Sequence, residues 1–252
     1  MQLQRRADSF DCTCIRAAPT YVHSPMIDVN GMPHHHPELT NFGQVLRNPS
    51  TASEPQRTLV VLGRARGGTT MVAAMLAQLG VFMGEELTSD NLEDLQIQKL
   101  IRHYQPERMR KEIGRRNKHH DVWGIKHPAL FNHLPDLLDA LRHPCWIVVV
   151  RDPVAITARK IQAGRVPAEE AEACMRTEIS NYAKIIAFVA DSQRPALFLS
   201  YEKCLLQPRQ AALSLGAFAG VTDDALIERA SASIVPDNPV YLASVARSRR
   251  VP

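Results

Sequence analysis

Long apolar runs are missing from this chain. None approaches the ~20 residues that a membrane-crossing helix needs, which excludes a helical span. Aromatic residues are also sparse, 6% of 252, and this disfavours a large aromatic-lined pocket for flat hydrophobic ligands. The five cysteines, Cys12, Cys14, Cys145, Cys174 and Cys204, are odd in number and scattered, so they form no disulfide framework and point to a reducing compartment. No His or Asp arrangement accompanies Cys145 or Cys204, which speaks against nucleophilic cysteine chemistry. Zinc-like spacing is absent too: His34, His35 and His36 are consecutive and do not converge easily on one ion, so no metal site is expected. The opening MQLQRRADSFDCTC carries two arginines with no apolar stretch behind them. A secretory signal is therefore not expected, and a cytoplasmic location is.

The composition that remains, 45% hydrophobic and 22% charged, is that of a globular protein and excludes a wholly disordered or fibrous one. The length fits one α/β domain with an extension. Residues 1–56 are proline-rich and lack a sustained apolar period, so they read as an irregular N-terminal arm, with the domain proper over 57–252. Net charge is +4, with the excess in the second segment. A basic run from Lys99 to Lys118 fits either an anionic ligand or a solvated helix face.

From Thr58 the pattern becomes regular. Short apolar runs at Thr58–Leu62, Val122–Lys126, Trp146–Val150 and Ala196–Ser200 read as buried strands. Helical stretches follow or lie between them, at 92–113, 134–141, 168–190, 210–219 and 223–234. On the longest, Ile179, Tyr182, Ile186 and Val189 recur at helical spacing and read as core. Strands alternating with helices predict a parallel sheet covered on both faces.

Between the first strand and its helix lies Gly63-Arg-Ala-Arg-Gly-Gly-Thr-Thr70, with the glycine spacing of a phosphate-binding loop. Such glycines let backbone N–H groups turn toward a phosphate at a helix's positive end. A nucleoside-triphosphate loop would carry Lys after Gly68; here Thr69 stands there, and the cations are Arg64 and Arg66. Three further segments also end at strand termini. They are Trp123-Gly-Ile-Lys-His-Pro128, Trp146-Ile-Val-Val-Val-Arg-Asp-Pro153 and Leu199-Ser-Tyr-Glu-Lys203. Ligands of open parallel sheets bind at that edge, so Lys126, His127, Arg151 and Tyr201 are candidate site residues.

Arg66-Gly-Gly-Thr-Thr70 after a strand resembles the 5′-phosphosulfate loop of sulfotransferases that use 3′-phosphoadenosine 5′-phosphosulfate, PAPS. The strand ending in Arg151-Asp-Pro153 resembles that family's 3′-phosphate segment, and Tyr201-Glu202 resembles the Tyr-Glu segment beside the nucleotide. The resemblance runs from Arg57 to about Ile234 and implies a three-layer α/β/α fold with a central parallel sheet, P-loop NTPase-like, of the sulfotransferase type. It implies that Arg64, Arg66, Gly67, Gly68, Thr69, Thr70, Arg151 and Tyr201 hold PAPS. Arg159 stands where the family usually has a serine, and it too can bind phosphate. The family's late Arg-Lys-Gly segment is not recognisable, and the tail offers Arg247, Arg249 and Arg250 instead.

The implied reaction is sulfuryl transfer to a hydroxyl or amine, with carbohydrate, lipid, peptide and small-molecule acceptors all open. Arg66 and Lys126 are the candidates for charge stabilisation. For the base, His127 competes with Glu85 and Glu86, and Asp90 and Glu93 stand behind them. Lys126 and His127 would point to opposite faces if both lay on a strand. Neither a metal nor a nucleic acid partner is implied. Two other readings remain: a P-loop nucleotide kinase or NTPase, for which Asp152 is the only carboxylate placed to serve, and a non-catalytic nucleotide- or polyanion-binding protein of the same fold.

Overall fold

The computed structural model of the protein describes residues 43–48 and 54–235. His34 to His36, Cys12, Cys14 and the tail arginines 247, 249 and 250 lie outside the described residues. Among the described residues five strands form one sheet: β1 Gln44–Arg47, β2 Arg57–Gly63, β3 Val122–Lys126, β4 Pro144–Val150 and β5 Ala196–Ser200. Their order is β1-β5-β4-β2-β3. The four strands expected from apolar runs are the four that pair in parallel, in registers such as Val60 opposite both Ile125 and Trp146.

Of the irregular arm expected over 1–56, only 43–48 and 54–56 are described, and within them Gln44–Arg47 forms the strand β1. It pairs antiparallel with β5, Gln44 opposite Leu199 and Arg47 opposite Ala196. Four residues with exposed Val45 and Leu46 are too short to show a period. Tertiary bonds hold the strand instead: the Arg47 guanidinium donates to the carbonyls of Val189 and Ala190 at 3.1 and 2.9 Å.

Helices cover both faces of the sheet. They are α1 Thr69–Gln78, α2 Leu95–Arg102, α3 Pro106–His119, α4 Leu134–Leu137, α5 Pro153–Gln162, α6 Ala171–Asp191, α7 Tyr201–Leu206, α8 Pro208–Ala219 and α9 Asp224–Ala232. Strand alternation sorts the core in two. Leu59, Val61, Ile147 and Val149 pack with α1, α8 and α9 through Val72, Leu76, Leu215 and Ile227. Val60, Leu62, Trp146 and Val148 pack with α2, α3 and α6 through Ile97, Ile113, Ile185 and Val189. This is the three-layer α/β/α arrangement with a central, mostly parallel sheet. Among the described residues no helix is long and apolar enough to cross a membrane.

Three helical expectations need revision. The stretch 92–113 is two helices, because Pro106 has no N–H to continue the first and its fixed φ suits the first turn of the second. α5 was not anticipated, although Asp152-Pro153 is a start signal: the Asp152 carboxylate accepts from the Val154 N–H at 2.7 Å. On α6 the buried stripe is Cys174, Glu178, Tyr182, Ile185 and Val189. Ile179 and Ile186, read as core, are 57% and 43% exposed. A buried carboxylate at position 178 shifts the inward face by one residue from the apolar pattern.

In chain order β3 lies on one side of β2 and β4 on the other, so the connections diverge there. The resulting crevice at the carboxyl ends of β2 and β4 is where such sheets bind ligands.

The phase of α6 can be tested by substitution. Ile185→Ala should cost about 2–4 kcal/mol in urea unfolding, whereas Ile186→Ala should stay within about 1 kcal/mol. Equal costs would mean that the helix is rotated from the orientation described.

Candidate functional site

The loop after β2 is shaped by two backbone constraints. The Gly67 N–H donates to the Arg64 carbonyl at 2.8 Å, closing a tight turn, and Arg66 sits inside it in the left-handed region at φ 69°. Gly68 then begins α1 at φ 93°, and a Cβ there would lie 2.2 Å from Cδ2 of Tyr201. Only glycine satisfies both the dihedral and the ring. Among the described residues no side chain caps α1, so its positive end is presented where the loop opens.

A cavity of about 500 Å³ lies against this loop. Arg66, Gly68, Thr69 and Thr70 line one wall. Lys126 enters from the end of β3, Arg151 from the end of β4, Arg159 from α5 and Tyr201 from the end of β5. The segment Ser89–Glu93 closes the side next to Lys126. Residues from four strand ends, far apart in sequence, therefore share one space.

Lys126 is 4% exposed and its ammonium is fully engaged. Nζ donates to the Asn91 carbonyl at 2.7 Å, to the Glu93 carboxylate at 3.1 Å and to the Thr70 hydroxyl at 3.4 Å. Burial pushes its pKa below the usual lysine value, against the opposing pull of Glu93. Glu93 is held in turn. Its N–H is bonded by Thr88 Oγ1 and Asn91 Oδ1, and its second carboxylate oxygen lies 3.2 Å from Gln98 Nε2 and 3.5 Å from His127 Nε2.

Lys126 and His127 thus reach the same carboxylate, because the chain leaves β3 at Lys126 and the strand alternation stops there. His127 Nδ1 accepts from the Ala129 N–H at 3.1 Å, which leaves Nε2 as the protonated nitrogen facing Glu93. Burial foremost, helped by Lys126, keeps the imidazole below its usual pKa despite Glu93. His127 has no lone pair directed into the cavity.

Beside the loop Arg151 stacks 4.4 Å over the Tyr201 ring and donates from Nη1 to the Arg66 carbonyl at 2.9 Å. Its Nε is buried and has no hydrogen-bond partner among the described residues; the nearest carboxylate oxygen, of Glu202, is 3.9 Å away. An orphaned guanidinium donor at a cavity wall fits an anionic ligand.

No model of a known protein family matches the chain, and no curated protein does. Among solved structures, the chain is similar to the sulfotransferase domain from the Synechococcus PCC 7002 olefin synthase. The identity is 18% and the TM-score 0.46, over 79% of this chain and 90% of that one.

Other sequence candidates are placed away from the cavity. Arg64 turns to α6, where Nε pairs with Glu178 at 2.7 Å. Gly67 backs onto Tyr182, whose hydroxyl would lie 2.9 Å from an added Cβ. Glu86 is exposed and offers its carbonyl to the Leu95 N–H, and Glu85 is exposed and pairs with Arg115 at 2.6 Å. Asp152 is the exposed cap of α5. Part of the basic run of α3 is paired within the fold: Arg110 with Asp139, Arg115 with Glu112, and buried Arg116 with Asp94. Gln98, Glu178 and Tyr182 had not been singled out as site residues. Tyr182 shares the inward apolar stripe read from the sequence, whereas Gln98 and Glu178 carry no sequence signal.

Acid should destabilise the protein through His127. Its folded pKa lies below 6.5, so as pH falls past that value the unfolded chain takes up a proton that the folded one refuses. Melting temperature should therefore drop between about pH 7 and about pH 5, and His127→Asn, which keeps an acceptor for the Ala129 N–H, should flatten that drop. Parallel profiles for the two proteins would remove His127 from this account.

Proposed function

We propose that the chain is a sulfotransferase that moves the sulfuryl group of PAPS to a hydroxyl or amine acceptor. One observation carries the reading. A single cavity is lined by the α1 terminus together with the cationic side chains Arg66, Lys126, Arg151 and Arg159, drawn from separate elements, which suits a ligand carrying more than one anionic group. A triphosphate site would call for a lysine at position 69, where Thr69 stands, and Asp152 is occupied as a helix cap.

In this reading the loop amides with Thr69 and Thr70 hold the 5′-phosphosulfate, and the orphaned Arg151 Nε with Arg159 takes the 3′-phosphate. The apolar wall of Met71, Leu205 and Ile234 beside Tyr201 suits the planar base. Arg66 and Lys126 stand where charge develops on the transferring group and the departing phosphate.

Glu93 is the base that the geometry favours over His127, Glu85 and Glu86. It lines the cavity, its carboxylate is oriented by Lys126, Gln98 and His127, and Lys126 couples it to Thr70 of the loop. The acceptor oxygen or nitrogen bonds to sulfur as its proton passes to Glu93, and the sulfur–oxygen bond to the 5′-phosphate breaks. Adenosine 3′,5′-bisphosphate leaves. His127 then serves to position Glu93 rather than to take the proton.

Calorimetric titration with adenosine 3′,5′-bisphosphate, beside ATP and GTP with Mg²⁺, is the direct test. Selective binding of the bisphosphate is expected. Preference for a triphosphate would overturn the reading in favour of a kinase or NTPase. Bisphosphate binding without turnover on any acceptor would favour a non-catalytic nucleotide-binding protein. Arg151→Ala should weaken bisphosphate binding by about tenfold or more, as loss of a charged hydrogen bond does. Glu93→Gln should lower kcat by roughly a hundredfold or more while leaving bisphosphate affinity nearly unchanged, and Arg66→Ala should lower kcat by more than it weakens bisphosphate binding.

A further inference from the structure

The inward face of α6 carries two polar residues in an otherwise apolar stripe, and both reach the phosphate loop. Glu178 is fully buried. Its carboxylate takes Arg64 through Nε at 2.7 Å and Nη2 at 3.5 Å, and also takes Lys160 of α5. Burial alone would raise its pKa, but the bonds from Arg64 and Lys160 outweigh burial and keep it low, so Glu178 is ionised. One turn on, the Tyr182 hydroxyl accepts from the Arg151 N–H at 3.1 Å and lies against Gly67. Burial pushes that phenol up to about 12, so it stays protonated.

A charge on the core face of a helix is costly, and an apolar residue there would pack at less expense. What the carboxylate secures is the turn. Arg64 is both the residue whose side chain Glu178 holds and the residue whose carbonyl closes the turn with the Gly67 N–H. Inside that turn Arg66 adopts its left-handed conformation, and its carbonyl receives Arg151. The contacts run without a break from Glu178 to Arg64, to the turn, to Arg66 and to Arg151.

We propose that Glu178 is a positioning residue for the anion site: by anchoring Arg64 it fixes the 64–67 turn in the shape that presents Arg66, Gly68 and Arg151 to the cavity. This rests on the reading of the cavity as an anion site, though not on the identity of the nucleotide.

Charge and positioning predict opposite signs. Glu178→Gln removes a negative charge near the site, which by electrostatics alone tightens anion binding. Positioning requires the reverse, because Arg64 loses its anchor. The experiment is calorimetric titration of the full chain, wild type and variant, with inorganic pyrophosphate and with adenosine 3′,5′-bisphosphate. Folding of each protein is checked by its circular dichroism melt. Glu178→Gln is expected to weaken both anions by about tenfold, the scale of one lost charged contact. Glu178→Asp keeps the charge but shortens the reach, and it should weaken them as well. It also serves if the glutamine variant fails to fold.

Unchanged or tighter binding in a folded variant overturns the proposal. Wild-type binding of pyrophosphate with no preference for the bisphosphate would sink the sulfotransferase reading and leave the Glu178 comparison readable. A wild type that binds neither anion sinks both.

Discussion

A buried ammonium must be surrounded by acceptors, and meeting that demand at Lys126 organises one side of the cavity. Its three partners come from different places: the α1 hydroxyl of Thr70, the loop carbonyl of Asn91 and the carboxylate of Glu93. Satisfying one cation therefore fastens the loop that follows α1 against the end of β3. It also holds the Glu93 carboxylate at the cavity. Remove the lysine and the carboxylate loses its counter-charge, while the loop loses its anchor. The same economy recurs at Glu178, where one buried anion ties two cations from different elements. Buried charges in this protein act as joints between segments that hydrophobic packing alone would leave loosely placed.

Much of this was legible in the chain. The four parallel strands stand out because both of their faces are buried, which leaves continuous apolar runs. The loop stands out because glycine spacing reports backbone geometry directly, and Arg151 and Tyr201 because they sit one residue beyond, or right after, such runs. Less legible was anything decided by tertiary partners. Arg64 and Arg66 are equivalent in the sequence, yet one faces a buried glutamate a hundred residues away and the other faces the cavity. Glu86 and Glu93 are likewise two acidic residues in one loop. Bonds from Thr88 and Asn91 to the Glu93 N–H, together with Lys126 from β3, turn the second one inward.

The α6 helix shows how a polar core position misleads periodicity. Hydropathy alone favours the face of Ile179 and Ile186, since Glu178 counts against its own side. The helix settles with Glu178 inside because Arg64 and Lys160 compensate its charge there. Local pattern and final structure disagree where polar groups are matched by partners remote in sequence, and such places gather around the cavity.

The short strand β1 has a different consequence. A parallel sheet exposes a row of unpaired amides and carbonyls along each outer strand, a template for joining another chain edge to edge. β1 occupies that row on β5, running antiparallel and bound at its end through Arg47. At the other margin, the Gly124 N–H of β3 is taken at 2.8 Å by the carbonyl of Phe82, which bridges to Trp123. Each margin is thereby shortened among the described residues: on one side the outermost strand is only four residues long, and on the other the Phe82 carbonyl takes one amide of β3.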